Sequence, residues 1–201
     1  MPVASEDLHG NVPDESRAVL LLIDVINDME FDGGDALLAA AMPAVERIAA
    51  LKARARAAGI PSVHVNDNFG RWRSDFRTLV RHCLDDDVRG RPIARLLAPD
   101  ADDYFVLKPK HSAFFATPLH LLLTHFGART LVLTGLTAEG CVLFSASDAY
   151  MRDFRLVVPS DCVASASPGD CRRSLEHMRK TLKADTRPAA EIDLTALTER
   201  R

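Results

Sequence analysis

Short, wholly apolar runs alternate along this chain with longer segments whose apolar residues recur at helical spacing. Ala18-Val-Leu-Leu-Leu-Ile23 is the first run and ends at Asp24. An apolar run without polar alternates suits a strand buried on both faces of a parallel sheet. The Ala- and Leu-rich stretch from Asp35 to Ala58 predicts a long helix closed by Gly59, with Pro43 marking where a helix begins or bends. Pro61 to Asn66 predicts a second strand and Asp102 to Leu107 a third, separated by a polar, charged excursion from Asp67 to Ala101. Pro118 to Phe126 predicts a helix that stops at Gly127, and Thr130 to Thr134 a further strand. Cys141 to Asp153 then predicts a helix, Arg155 to Val158 a strand, and Pro168 to Lys183 the last helix.

Strands and helices in this order predict an α/β fold, a single domain built on an open, mostly parallel sheet with right-handed crossovers. With 201 residues, 47% of them hydrophobic, the chain is large enough for one substantial core. The domain is expected over residues 18–190, with 1–17 as an N-terminal arm and 191–201 as a C-terminal tail.

Charge narrows the partners. The formal net charge is −3, with acidic and basic residues interspersed and no basic block, so nucleic acid is not an expected partner. Apolar runs fall far short of the ~20 residues a membrane helix needs, so no membrane span is expected. Met1 to Arg17 carries Glu6, Asp7, Asp14 and Glu15, which suits neither a secretory nor a mitochondrial leader. The four cysteines at 83, 141, 162 and 171 form no Cys-x-x-Cys pair, as expected of a reduced, cytoplasmic setting. No glycine-rich dinucleotide or phosphate-loop signature is present, which argues against NTP or dinucleotide chemistry.

Candidate chemistry follows from the sheet. Ligands of open α/β sheets bind beyond the carboxyl ends of the strands. Asp24 ends the first predicted strand, Lys108 follows the third, and Cys141 follows the strand from Thr130, so three reactive groups converge on one edge. Gly135-Leu-Thr-Ala-Glu-Gly-Cys141 lies where a strand turns into a helix. Unpaired backbone N–H groups and the positive end of the helix would stabilise a thiolate there. In an extended segment Lys108 and Lys110 share a face, so alternation does not choose between them. Asn66, Asn68, Phe69, Arg71, Trp72 and Arg73 follow the second strand and are expected to face the same crevice, where Arg71 or Arg73 could receive a substrate carboxylate. Cys83, Cys162 and Cys171 are expected to be buried or surface thiols.

Four segments together carry a resemblance: Leu22-Ile-Asp-Val-Ile-Asn-Asp28, Lys108-Pro-Lys-His-Ser-Ala-Phe114, Gly135 to Cys141, and Ala146-Ser-Asp-Ala149. In order and spacing they resemble the motifs of the isochorismatase-like cysteine hydrolases, from about Ala18 to Lys183. The resemblance implies a six-stranded, mostly parallel, Rossmann-like sheet between helices and an Asp24–Lys108–Cys141 triad. Its lysine stands four residues before Ser112, which selects Lys108. It further implies an oxyanion hole from the backbone N–H groups of Thr137 and Cys141, a cis Leu136–Thr137 bond, Glu139 as a brace for that loop, and a pocket wall near Phe114 and Phe115. It also implies a homo-oligomer, either dimer or tetramer.

Nicotinamidases of this group place an Asp-x-His metal pair after the second strand, and here the matching segment is Asp67-Asn68-Phe69. No metal and no cofactor are therefore expected, and His64 and His82 are read as core or surface histidines. The implied function is a metal-independent hydrolase cleaving a C–N bond of a small amide or carbamoyl substrate through a thioester. Cys141 would be the nucleophile, Lys108 the thiolate's stabiliser and Asp24 the general base and acid; Asn68, Phe69, Trp72, Phe114 and Phe115 are the candidates for the pocket. Two alternatives stand beside it: enol-ether hydrolysis with Asp24 as proton donor, and a catalytically silent binding or redox-sensing relative.

Overall fold

A computed structural model describes residues 15–70 and 75–199. The expectations placed on Arg71, Trp72, Arg73 and most of the N-terminal arm therefore lie outside the described residues. The element order is β1 (Ala18–Ile23), α1 (Gly34–Ala57), β2 (Ser62–Asp67), α2 (Phe76–Asp85), α3 (Arg91–Leu96), β3 (Tyr104–Lys108), α4 (Leu119–Phe126) and β4 (Thr130–Leu136). A π-helical turn (Ala138–Val142) then leads into α5 (Leu143–Tyr150), β5 (Arg155–Val157), β6 (Val163–Ala164), α6 (Pro168–Thr181), a 3-10 turn (Ala189–Glu191) and α7 (Leu194–Thr198).

Six parallel strands form one sheet in the order β3-β2-β1-β4-β5, with β6 pairing the far end of β4. The uninterrupted apolar run of β1 has the cause inferred from sequence, because helices cover both faces of the sheet. Ala18, Leu20 and Leu22 point into a core shared with α1, α2, α3 and α7. Val19, Leu21 and Ile23 point into a second core shared with α4, α5 and α6. Each such fully buried aliphatic side chain contributes about 1.5–3 kcal/mol, so this central strand anchors both layers.

Several boundaries differ from the sequence reading, each for a local reason. α1 runs unbroken through Pro43, whose ring lies on the exposed side, where water can take the carbonyl that loses its helical donor. The excursion from Asp67 to Ala101 contains α2, capped by the Asp75 side chain on the Thr78 N–H at 2.7 Å, and the short α3. β6 has two residues, too few to leave a periodic signal. The helix expected from Cys141 starts at Leu143, after the π-turn. The expected C-terminal tail is corrected as well: Ile192, Leu194 and Leu197 are buried in the first core, and the Arg54 guanidinium holds the carbonyls of Ala189 and Ile192, both at 2.7 Å. Among the described residues no helix is long and apolar enough to cross a membrane.

The topology positions the crevice. From β1 the chain winds one way to β2 and β3, then returns to place β4 on the other side of β1. The carboxyl ends of β1 and β4 flank this reversal, where an open sheet leaves a cleft.

Candidate active site

Three strand ends supply the reactive groups. Asp24 follows Ile23, which pairs with Val65 of β2 and Gly135 of β4. Its φ of 52° turns the chain out of the sheet, a left-handed conformation that Asp tolerates better than most residues. Lys108 ends β3 opposite Asp67, the end of β2. Cys141 lies in the π-turn beyond β4.

Gly135 and Gly140 make that last placement possible. Gly135 has φ 114°, and a Cβ there would fall 2.0 Å from the Ile23 carbonyl oxygen. β1 and β4 could not meet at this level with any larger residue. Gly140 has φ −103° and ψ −110°, and a Cβ there would fall 2.8 Å from Thr137 Oγ1. The Thr137 carbonyl accepts the N–H groups of Gly140 (3.1 Å) and Val142 (3.2 Å), passing over that of Cys141 between them. The Leu136–Thr137 peptide is cis.

At the centre is an ammonium group with no exposed surface. Lys108 Nζ lies 2.8 Å from Asp24 Oδ2, 3.3 Å from Cys141 Sγ, 3.2 Å from the Lys110 carbonyl and 3.5 Å from Asp67 Oδ2. Asp24 Oδ1 accepts the Asp67 N–H at 2.7 Å. Asp24, Lys108 and Cys141 thus form one contiguous cluster, and Lys110, the competing lysine, contributes its backbone carbonyl.

Burial dominates the electrostatics. It raises the Asp24 carboxyl above its ordinary value, against the opposing pull of Lys108. Burial acts to lower the Lys108 ammonium, but the charges of Asp24, Cys141 and Asp67 outweigh it and the group is held above its ordinary value. Burial, then the Asp24 charge, pushes the Cys141 thiol up to about 12, with Lys108 opposing. Burial thus works against the thiolate that the strand-to-helix turn and Lys108 would favour. It favours the protonated thiol, and ionisation of the sulfur depends on the Lys108 ammonium beside it.

The walls of the site are pinned to α5. Ser112 Oγ hydrogen-bonds to the Asp148 carboxylate, which pairs with Arg152 at 2.7 Å. The Ala113 N–H donates to Ser145 Oγ at 2.9 Å, and Ser145 Oγ donates to the Cys141 carbonyl at 2.6 Å. Glu139 accepts a hydrogen bond from Ser165, just after β6, as a brace for the loop would.

The pocket residues separate. Asn68 and Phe69 line a cavity of about 240 Å³ beside Asp67, walled also by Asp28, His82 and Leu107. Phe115 is exposed. Phe114 is corrected from pocket to core: it is 5% exposed, packs near Phe154 at 6.2 Å and lies under the Arg152 guanidinium. His82 is held by Asp86 (2.7 Å) and Asp28 (3.2 Å), and buried His64 by Asp103 (3.2 Å). Among the described residues no three His, Cys, Asp or Glu side chains are grouped so as to hold a metal ion.

Two contacts escaped the sequence reading. Asp67 holds both Asp24 and Lys108, and the strand register that pairs it with Lys108 is invisible without the sheet. His111 Nδ1 lies 3.6 Å from Cys141 Sγ, and the one available signal was its place three residues after Lys108.

Residues 18–188 match the Isochorismatase domain, so the chain belongs to the isochorismatase family. Its relatives include proteins named as amidohydrolases and as an isochorismatase, and this protein is a hydrolase of that family. It is 39% identical over 173 residues to an uncharacterized isochorismatase family protein, YaaI, of Bacillus subtilis, covering 86% of this chain and 94% of that one. It is 35% identical over 153 residues to maleamate amidohydrolase of Pseudomonas putida, covering 73% and 72% respectively. The crystal structure of N-carbamoylsarcosine amidase from Thermoplasma acidophilum superposes with a TM-score of 0.66 at 27% identity, over 88% of this chain and 99% of that one.

Proposed function

We propose that this protein hydrolyses a C–N bond of a small amide or carbamoyl compound through a thioester on Cys141, without a metal. The observation that carries the reading is the buried Lys108 ammonium bridging the Asp24 carboxyl at 2.8 Å and the Cys141 sulfur at 3.3 Å. A fully buried lysine between a carboxyl and a thiol is costly unless its charge is used, and perturbed groups of this kind concentrate at reactive sites. Relatives named as amidohydrolases and an amidase support the bond class.

The steps follow from the contacts. Asp24 takes the thiol proton as Cys141 attacks the carbonyl carbon, and Lys108 balances the charge passing between carboxyl and sulfur. The oxyanion is met by the backbone N–H groups of Thr137 and Cys141, held by the Gly140 turn; losing one such donor typically costs about 10²- to 10³-fold in rate. Asp24 returns its proton to the leaving nitrogen. It then takes a proton from water, whose hydroxyl cleaves the thioester. Phe144 and Met151, exposed and seven residues apart on one side of α5 and its end, give an apolar face consistent with a homo-oligomer, which light scattering would measure.

The test is a panel of small amides and ureas with wild type, Cys141→Ala and Asp24→Asn, combined with acid quenching and mass spectrometry of the Cys141 peptide. An acyl adduct on Cys141 in wild type and loss of turnover in both variants are expected. Full turnover by Cys141→Ala would overturn the thioester route and favour direct protonation by Asp24.

A further inference from the structure

Among the described residues Lys108 is the cation nearest the nucleophile, yet its three N–H bonds are divided. They face Asp24 Oδ2 (2.8 Å), Cys141 Sγ (3.3 Å) and the Lys110 carbonyl (3.2 Å), so the sulfur receives one donor from it. Burial and the Asp24 charge both oppose ionisation of the thiol. A sulfur anion at this position needs a further donor.

One side chain is placed to supply it. His111 Nδ1 lies 3.6 Å from Cys141 Sγ, a hydrogen-bonding distance for sulfur. The segment bearing it is fixed on both sides: Lys108 holds the Lys110 carbonyl, Ser112 is tied to Asp148, and the Ala113 N–H is tied to Ser145, whose hydroxyl grips the Cys141 carbonyl. The imidazole also lies beside the Phe144 ring, with centroids 5.5 Å apart and the ring planes tilted by 36°. These ties couple His111 and Cys141 through α5, so the approach of ring to sulfur is built into the fold.

We infer that His111 is a further catalytic residue, donating a hydrogen bond from Nδ1 to the Cys141 sulfur whenever that sulfur is anionic. This rests on Cys141 being the nucleophile. The tautomer required carries its proton on Nδ1 and leaves Nε2 to solvent, and His111 is exposed. No proton changes hands in this role. Asp24 remains the base, and His111 lowers the energy of the sulfur anion before attack and again when the thioester C–S bond breaks.

The experiment reads the sulfur directly, without substrate. Iodoacetamide labelling of Cys141 at pH 8 is followed by peptide mass spectrometry in wild type, His111→Ala and His111→Asn, with thermal unfolding of each as a control. The Asn amide nitrogen occupies the position of Nδ1 and donates without titrating. A hydrogen bond to a charged group is worth enough to slow labelling of His111→Ala by about 10- to 100-fold. His111→Asn is expected within about threefold of wild type, and both variants should unfold at the wild-type temperature. Equal labelling of His111→Ala and wild type would overturn the inference, and so would His111→Asn labelling as slowly as His111→Ala. Slow labelling of His111→Ala together with full turnover by Cys141→Ala would leave the sulfur contact standing and refute the thioester reading instead.

Discussion

Replacing Lys108 with methionine tests the electrostatics on which the site depends. The side chain is fully buried and its Nζ lies 2.8 Å from Asp24 Oδ2. At an effective dielectric near ~20 that separation gives roughly 6 kcal/mol of gross attraction, much of it offset by desolvation. Removing one partner of such a pair typically costs about 3–5 kcal/mol, because the remaining charge is buried alone. The cost depends on pH with a definite sign. Burial already holds the folded Asp24 carboxyl above its ordinary value, and Lys108 opposes that rise. Without Lys108 the folded value climbs further, so the native state retains a proton that the unfolded chain has released. Stability contributed by a raised carboxyl is full below its ordinary value near 3.8 and is lost as pH rises through the folded value. The deficit of Lys108→Met relative to wild type should therefore be small near pH 4.5 and grow towards pH 8, by up to about 1.4 kcal/mol per pH unit. Urea unfolding at both pH values provides the assay: with an m-value near ~2 kcal/mol/M, the midpoint at pH 8 should fall by roughly 2 M. Asp24→Asn/Lys108→Met, which removes the orphaned charge, should recover most of the loss at pH 8. A deficit below about 1 kcal/mol at pH 8, or one equal at both pH values, would refute the reasoning.

Asp24→Asn should separate two roles. Removing the carboxylate charge that raises the Cys141 thiol should speed iodoacetamide labelling at pH 8, while turnover falls about 10²- to 10⁴-fold for want of a base; slower labelling would contradict the charge assignment. Gly135→Ala should lose at least ~3 kcal/mol in thermal or urea unfolding, since its Cβ would lie 2.0 Å from the Ile23 carbonyl oxygen at a φ of 114°, and unchanged stability would mean the strands are not in this register. Leu197→Ala should cost about 2–3 kcal/mol by the same assay, because this side chain is 8% exposed in the first core; a true tail would tolerate the change within ~0.5 kcal/mol.

The sequence alone determined the layers and the chemistry at the strand ends. The unbroken apolar run Ala18–Ile23 required helices on both faces of its strand, because nothing in it could face water. Asp24, Lys108 and Cys141 could be nominated together because strands of a parallel sheet direct their carboxyl ends to one edge. What only the tertiary structure decided depends on register and burial, which a linear pattern does not contain. The pairing of Asp67 with Lys108, the approach of His111 to the Cys141 sulfur, and the choice of Lys108 over Lys110 by geometry arise when distant segments are fixed side by side. Phe114 moved from pocket to core and Leu197 from tail to core because a short apolar cluster does not by itself show which surface will cover it. The opposing pull on the Cys141 thiol has the same origin: the strand-to-helix turn favours a thiolate, burial beside a carboxylate opposes it, and burial is a property of the folded chain.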